Sequence, residues 1–241
     1  MGSARFRQAQ PAAALELTAE GLRLLAAADA SPADLAQLHD LAVLIEVTIG
    51  DIQAAQHSAE IALELARSIG SPLQIAGSLS QLGRAWFTDD PDRALAAFEE
   101  SIALSDIGFG VDISRGGAAQ LHARAGNPIQ ALTHLRAAIT NSHDIGYRAG
   151  IGYTVERAVA ILATLRADQL AATCAGVVQA HVVTSFRTLP QIDQTANRVA
   201  ARLGPDAYRA AHTRGTALTY EQVAPTLLAA LDELLGEATR D

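Results

Sequence analysis

Apolar residues recur every three or four positions along most of the chain, in Ala-rich runs that short polar breaks separate. This spacing predicts amphipathic α-helices. Four breaks carry a helix-start signal, a capping residue followed by proline, which the first helical turn tolerates. They are Ser31-Pro32, Ser71-Pro72, Asp90-Pro91 and Asn127-Pro128. Because no stretch of alternating β-branched residues competes with these runs, the sequence predicts an all-α fold.

The predicted helices form pairs joined by short turns. Short turns between helices of this length produce antiparallel hairpins, and each hairpin buries its apolar stripe against the next one. The predicted helices cover 33–49 and 52–68, 72–88 and 91–105, 111–125 and 128–143, and 149–166 with a partner from 168.

A short phrase marks the end of successive hairpins. It reads Ile69-Gly70, Ile107-Gly108 and Ile145-Gly146, and each copy lies 38 residues after the one before. A period of this length is typical of repeat arrays. Each glycine is predicted to leave its helix in a left-handed conformation. No fourth copy appears near Val183-Thr184, so we expect the array to end there. The predicted organisation is an N-terminal helix or cap over 1–30, repeats over about 31–70, 71–108, 109–146 and 147–167 onward, and a C-terminal helical cap over 168–241.

Composition removes several kinds of chemistry. All 18 basic residues are Arg, so a Schiff-base lysine and a phosphate-binding loop lysine are excluded. The net charge is −8 and the arginines are scattered, which argues against direct nucleic-acid binding. The one cysteine, Cys174, lies in an apolar stretch; we expect a buried thiol and a cytoplasmic protein. No apolar run is long enough for a membrane span.

Sequence motifs for catalysis or metal binding are also missing. The seven histidines show no metal-ligand spacing, and no Gly-x-Ser-x-Gly elbow marks a nucleophile. The acidic cluster Asp89, Asp90 and Asp92 fits a helix cap better than a cation site. We therefore predict no metal site, no cofactor and no catalytic residue.

The second predicted hairpin carries a family resemblance. Leu82-Gly83-x-x-Trp86, followed by Ala94 and Phe98, resembles the tetratricopeptide repeat, in which small residues lie where two helices cross. Glu46 and His122 replace Trp86 in the neighbouring repeats, and the repeats exceed the usual 34 residues. That lengthening is similar to the sensor arrays of maltose-regulator-type signalling ATPases. The resemblance implies a right-handed superhelical array.

The C-terminal third resembles the tail of large actinobacterial regulators, in which a cyclase or ATPase module precedes a helical array and a LuxR-type helix-turn-helix often follows. The segments carrying this resemblance start at Gln169 and continue through 203–208 and 212–223. Within them, Thr219 and Gln222 fit a capping box that opens a last, Leu-rich helix. We expect that helix to cover the last hairpin, with an exposed dimerisation seam as the alternative. The chain is then either a piece of a longer regulator or a free-standing array.

The resemblance also implies a binding surface, because the first helix of each hairpin lines the concave face in arrays of this kind. A purely solvated helix surface with ion pairs between neighbouring turns is the alternative. Transferred position by position, the face consists of Gln37, Asp40, Ser80, Arg84, Gln120, Thr154 and Arg157.

We therefore expect a non-catalytic sensor or protein-interaction module of a cytoplasmic signalling or transcriptional regulator. Its partner is a protein, a peptide or a small effector. Two alternatives come from other classes: a homo-oligomerisation scaffold, and an enzyme with an unrecognised pocket.

Overall fold

The computed structural model describes residues 11–28, 30–105, 109–181 and 189–240. Within these residues the chain forms twelve helices and no strand, so the predicted all-α fold class is confirmed. The Ile107-Gly108 phrase and Val183-Thr184 lie outside the described residues. The helices are α1 (Pro11–Ala27), α2 (Pro32–Ile49), α3 (Ile52–Ile69), α4 (Pro72–Trp86), α5 (Pro91–Leu104), α6 (Phe109–Arg124), α7 (Pro128–Asp144), α8 (Arg148–Thr164), α9 (Asp168–His181), α10 (Leu189–Leu203), α11 (Pro205–Ala217) and α12 (Tyr220–Ala238).

Local signals in the sequence set most helix ends. The Ser31 hydroxyl accepts a hydrogen bond from the Asp34 amide at 3.3 Å, and the Asp90 carboxylate accepts one from the Arg93 amide at 3.0 Å. Gly70 and Gly146 follow helix ends with φ of 76° and 67°, the left-handed region that glycine enters without steric cost. The predicted left-handed exits are therefore confirmed at both copies of the phrase that the structure describes.

The chain divides into two compact units, residues 1–117 and 118–241, with the boundary inside α6. In unit 1, α2 and α4 lie side by side and α3 packs against both, while α5 packs on α4 and α1 on α2. The core between them consists largely of alanine, leucine and valine. Its fully buried members include Val43, Ala55, Ala59 and Leu79.

The Phe98 ring fills a gap that two glycines leave in unit 1. A Cβ built on Gly83 would lie 2.5 Å from the Phe98 ring, and one built on Gly117 would also overlap it. The ring is 1% exposed and meets Phe87 edge-on, with centroids 6.4 Å apart. A large aromatic side chain therefore lies where the backbones of α4 and α6 carry no side chain.

The second helices of the first two hairpins are joined by exposed side-chain pairs. Three residues of α3 pair with residues 33 positions further along the chain, in or just before α5: Gln56 with Asp89, Glu60 with Arg93, and Arg67 with Glu100. Such exposed pairs add little stability. Their constant offset shows that α3 and α5 run parallel, which is the arrangement a repeat produces.

In unit 2, α8 packs against α7, α9 and α10, and α9 packs closely against α11. The capping box predicted at Thr219 and Gln222 is present.

The last helix, α12, packs on α7 and also contacts both helices of the last hairpin, as predicted. Its Leu227 and Leu231 are 1% exposed and share a core cluster with residues of α7, α8 and α9, so they do not form an exposed seam. The Tyr220 hydroxyl donates to the Arg148 carbonyl of α8 at 3.1 Å. Arg136 of α7 and Asp232 of α12 form an ion pair beside the contact between these two helices.

The contact between α9 and α11 depends on two glycines. A Cβ built on Gly176 would collide with the His212 carbonyl oxygen, and one built on Gly215 with the Thr173 carbonyl oxygen. The two backbones therefore touch, and the Thr173 hydroxyl donates to the Ala211 carbonyl at 3.3 Å across the same crossing. No side chain larger than hydrogen fits at either glycine without moving a helix.

We expect Gly176→Ala and Gly215→Ala each to destabilise unit 2 by about 3 kcal/mol, because each added methyl meets backbone that cannot rotate away. Urea unfolding followed by tyrosine fluorescence reports on unit 2, since all four tyrosines lie there and the one tryptophan lies in unit 1. The matched control is Gly236→Ala in α12, where an added Cβ meets open space. The control should be neutral or stabilising by up to ~1 kcal/mol. Unchanged unfolding of both crossing variants would show that the helices do not touch there.

Candidate functional site

Two polar clusters contain the residues predicted for the binding face. The α2–α4 cluster, in unit 1, consists of Asp40, Ser78, and the neighbouring Gln37, Ser80 and Arg84. The α6–α8 cluster, in unit 2, consists of Gln120, Tyr153, Thr154 and Arg157. In each, first helices of successive hairpins contact each other through side chains.

The α2–α4 cluster is built on one hydrogen bond between repeats. The Ser78 hydroxyl of α4 donates to Asp40 Oδ2 of α2 at 3.1 Å, and the two residues are 38 positions apart. That separation equals the period of the Ile-Gly phrase. The bond therefore joins equivalent positions on two successive first helices.

Burial dominates the electrostatics of Asp40. Its Oδ1 atom has no accessible surface and no hydrogen-bond partner among the described residues, although the residue as a whole is partly exposed. Burial raises the pKa of this carboxyl from 3.8 to about 7, and the Ser78 hydrogen bond opposes the rise. Asp40 therefore changes charge near neutral pH.

Two other titratable groups on α2 were not predicted as functional. Ser58 of α3 donates its hydroxyl to Glu46 Oε1 at 3.3 Å, and burial raises the pKa of this carboxyl. Burial, with a smaller effect of His57, lowers the pKa of His39. The one sequence signal for Glu46 was its place in the tetratricopeptide pattern, where an acid replaces the aromatic residue. α2 therefore carries three groups that are all shifted toward their uncharged forms.

The α6–α8 cluster holds an arginine in a fixed orientation. Arg157 donates through Nε to the Tyr153 hydroxyl at 2.7 Å and through Nη1 to Gln120 Oε1 at 3.3 Å. Its guanidinium also lies 4.9 Å from the centroid of the Tyr153 ring. The bond to Gln120 spans 37 residues. Such a guanidinium is pre-organised to present its remaining N–H groups to a planar anion or a carbonyl.

The predicted face residues do not all reach solvent. Gln37 is exposed, and Arg84 is partly exposed. The prediction that Ser80 and Thr154 lie on the open face is wrong, because each residue is 0% exposed. α4 packs against α2, α3 and α5, and α8 against α7, α9 and α10, so most of each helix circumference is covered. These two residues belong to the packing between helices.

Metal-ligating side chains do not converge in the part of the chain that the structure describes. There, no three His, Cys, Asp or Glu side chains come together as a set that could hold a metal ion. The thiol of Cys174 lies in the core of unit 2 at 0% exposure, as expected, and burial raises its pKa to about 12. A thiol in this environment is a packing group rather than a nucleophile.

We expect Cys174 to resist alkylation in the native protein and to react fully once unit 2 unfolds. The reason is that both exclusion of the reagent and the raised pKa suppress thiolate attack. Labelling with iodoacetamide across a urea series, followed by intact-mass measurement, tests this. Rapid labelling without urea, at the rate of an unfolded control, would place the thiol at the surface.

No protein-family model matches the chain, and no curated protein is significantly similar to it. In the described ranges no helix combines the length with the apolar character needed to cross a bilayer. The function therefore has to be inferred from the two polar clusters and from the packing that positions them.

Proposed function

We propose that this protein is a non-catalytic binding module that holds a peptide, a protein segment or a small effector on the face of its first helices. The observation that carries the proposal is the register of the two polar clusters. In each unit, polar side chains 37 or 38 residues apart meet across successive first helices, Asp40 with Ser78 and Gln120 with Arg157. A repeat whose first helices present polar groups at a regular interval suits an extended partner.

The packing of unit 1 supports the tetratricopeptide-like part of the proposal. α4 contacts both helices of the preceding hairpin, and Phe98 fills the space beside Gly83. Ala94, another position of the pattern, is fully buried. We propose that successive hairpins continue this packing as a right-handed superhelical array.

The chemistry of the two clusters indicates what each would bind. Around Arg157, two hydrogen bonds and a tyrosine ring fix the guanidinium, so that cluster suits a carboxylate or a backbone carbonyl of the partner. Around Asp40, the largely buried carboxyl is uncharged below its pKa of about 7, and in that form it suits a neutral partner group rather than a cation. Gln37 adds an exposed amide one helical turn away, able to donate and accept.

We further propose that this binding serves a cytoplasmic signalling or transcriptional regulator. The support is the sequence resemblance of the segments between 169 and 223 to the tails of such regulators. In that role the partner changes the conformation or self-association of the helices, and the module itself performs no chemistry.

The proposal is tested by selecting peptides from a displayed random library on the purified chain and mapping the best binder by hydrogen exchange. We expect protection in the first helices α2, α4, α6 or α8. For a binder that protects α8, Arg157→Ala should weaken affinity about 10- to 100-fold, the effect of losing a hydrogen bond from a charged group. Protection restricted to the second helices α3, α5 and α7 would contradict the proposal.

The matched control for Arg157→Ala is Arg209→Ala. Arg209 is an exposed arginine of α11, also in unit 2, and pairs with Asp206 one turn away. Its removal takes the same charge from the same unit but leaves the first helices intact, so affinity should not change. An equal loss of affinity in both variants would show that Arg157 acts only through the net charge of the unit and not through a contact with the partner.

A further inference from the structure

Two carboxyls of α2 lie in its contacts with neighbouring helices. Each has too few hydrogen-bond donors around it to compensate for a negative charge. Asp40 lies in the contact with α4 and Glu46 in the contact with α3. Each accepts one hydrogen bond from one serine hydroxyl, and the other oxygen of each is sealed from solvent with no partner among the described residues. A buried ionised carboxylate needs several hydrogen-bond donors to compensate for its charge. A protonated carboxyl carries no charge and needs fewer donors. The geometry therefore accommodates the protonated forms better.

The charges on the surrounding helices do not compensate for ionisation of Asp40. On α1, Glu20 and Arg23 pair with each other, and Glu16 is exposed. On α4 the one charged residue is Arg84. None of these groups contributes to the pKa of Asp40, which burial and Ser78 alone determine.

The groups near Glu46 at the start of α3 and along it shift its pKa in opposite directions. Burial has the largest effect on its pKa, Asp51 adds to the rise, and Ser58 and His57 oppose it. The other charged groups of α3 are exposed, and two of them, Glu60 and Arg67, pair with α5. His39, also on α2, is shifted toward its neutral form, so lowering the pH far enough to protonate it would again place a charge in the contact.

We propose that α2 is a proton-sensitive helix: it docks against α3 and α4 while Asp40 and Glu46 carry protons, and the docking loosens when they ionise. This goes beyond the proposed binding function and does not depend on which partner is bound. The first helix of the first hairpin would then loosen as the surroundings change from acidic to neutral.

The sign of the effect follows from proton linkage. An acid whose pKa is higher in the folded than in the unfolded state keeps a proton that the unfolded chain has already released. Its contribution to stability is fully present below the unfolded value, 3.8 for Asp40, and declines as the pH rises to the folded value, about 7. The docking of α2 should therefore weaken between these two values and stay constant above them.

Hydrogen exchange measured peptide by peptide on the full chain tests the proposal. After correction for the intrinsic pH dependence of exchange, protection of α2 should fall at least ~10-fold between about pH 5 and about pH 8, while protection of α7 changes less. Asp40→Asn combined with Glu46→Gln removes both ionisations, so the fall in α2 should disappear. A fall of the same size in this double variant, or no fall in the wild type, would overturn the proposal.

A second variant keeps the test decisive if the double variant does not fold. Ser78→Ala removes the hydrogen bond that lowers the pKa of Asp40, so the midpoint of the α2 transition should move to higher pH. Glu64→Gln is the matched control, because Glu64 is an exposed acid of α3. It should reproduce the wild-type profile. An unchanged midpoint in Ser78→Ala, or the same shift in both variants, would show that Asp40 is not the group that titrates.

Discussion

Close approach of helices at residues with little or no side chain is the constraint on which this structure depends. Phe98 occupies the space that Gly83 and Gly117 leave open, and Gly176 and Gly215 let α9 and α11 touch backbone to backbone. Dispersion and burial act strongly at such contacts because many atoms meet at short range. A chain in which only 4% of residues are aromatic builds its core in this way, from alanine and glycine around a few large side chains.

The same close packing determines which polar residues reach the surface. Hairpins that nest tightly bring successive first helices within hydrogen-bonding distance, so that Asp40 meets Ser78 and Gln120 meets Arg157. It also covers most of α4 and α8, which is why Ser80 and Thr154 are buried. Burial of one Asp40 oxygen has the same origin. The polar chemistry of the first helices is thus a consequence of how closely they approach.

The features that depend on neighbouring residues could be predicted from the sequence. The proline-containing helix starts, the left-handed Gly70 and Gly146, and the Thr219 capping box each depend on a few consecutive residues, and all are present. Of the four predicted capping residues, Ser71 and Asn127 make no capping hydrogen bond through their side chains. The 38-residue period likewise revealed which helices are equivalent.

Features that depend on distant pairs could not be predicted. Nothing near Gly176 in the sequence shows that it will face the His212 carbonyl, because that contact depends on the path of the chain through α10, which lies between the two helices. The position of α12 on α7, the sealed oxygen of Asp40 and the burial of Thr154 are of the same kind. The family pattern placed Asp40 and Arg157 on the first helices, but it could not determine how deeply each side chain lies.

The most direct test of this account is a double-mutant cycle on Gly83 and Phe98, with urea unfolding followed by Trp86 fluorescence in unit 1. Gly83→Ala should destabilise because its methyl meets the Phe98 ring, and Gly77→Ala, on the same helix with open space around it, is the control. Phe98→Leu leaves room for the methyl. We predict that the double variant is more stable than the sum of the single effects by about 1 kcal/mol or more. Additive effects would contradict the claim that the glycine gap and the aromatic ring fit each other.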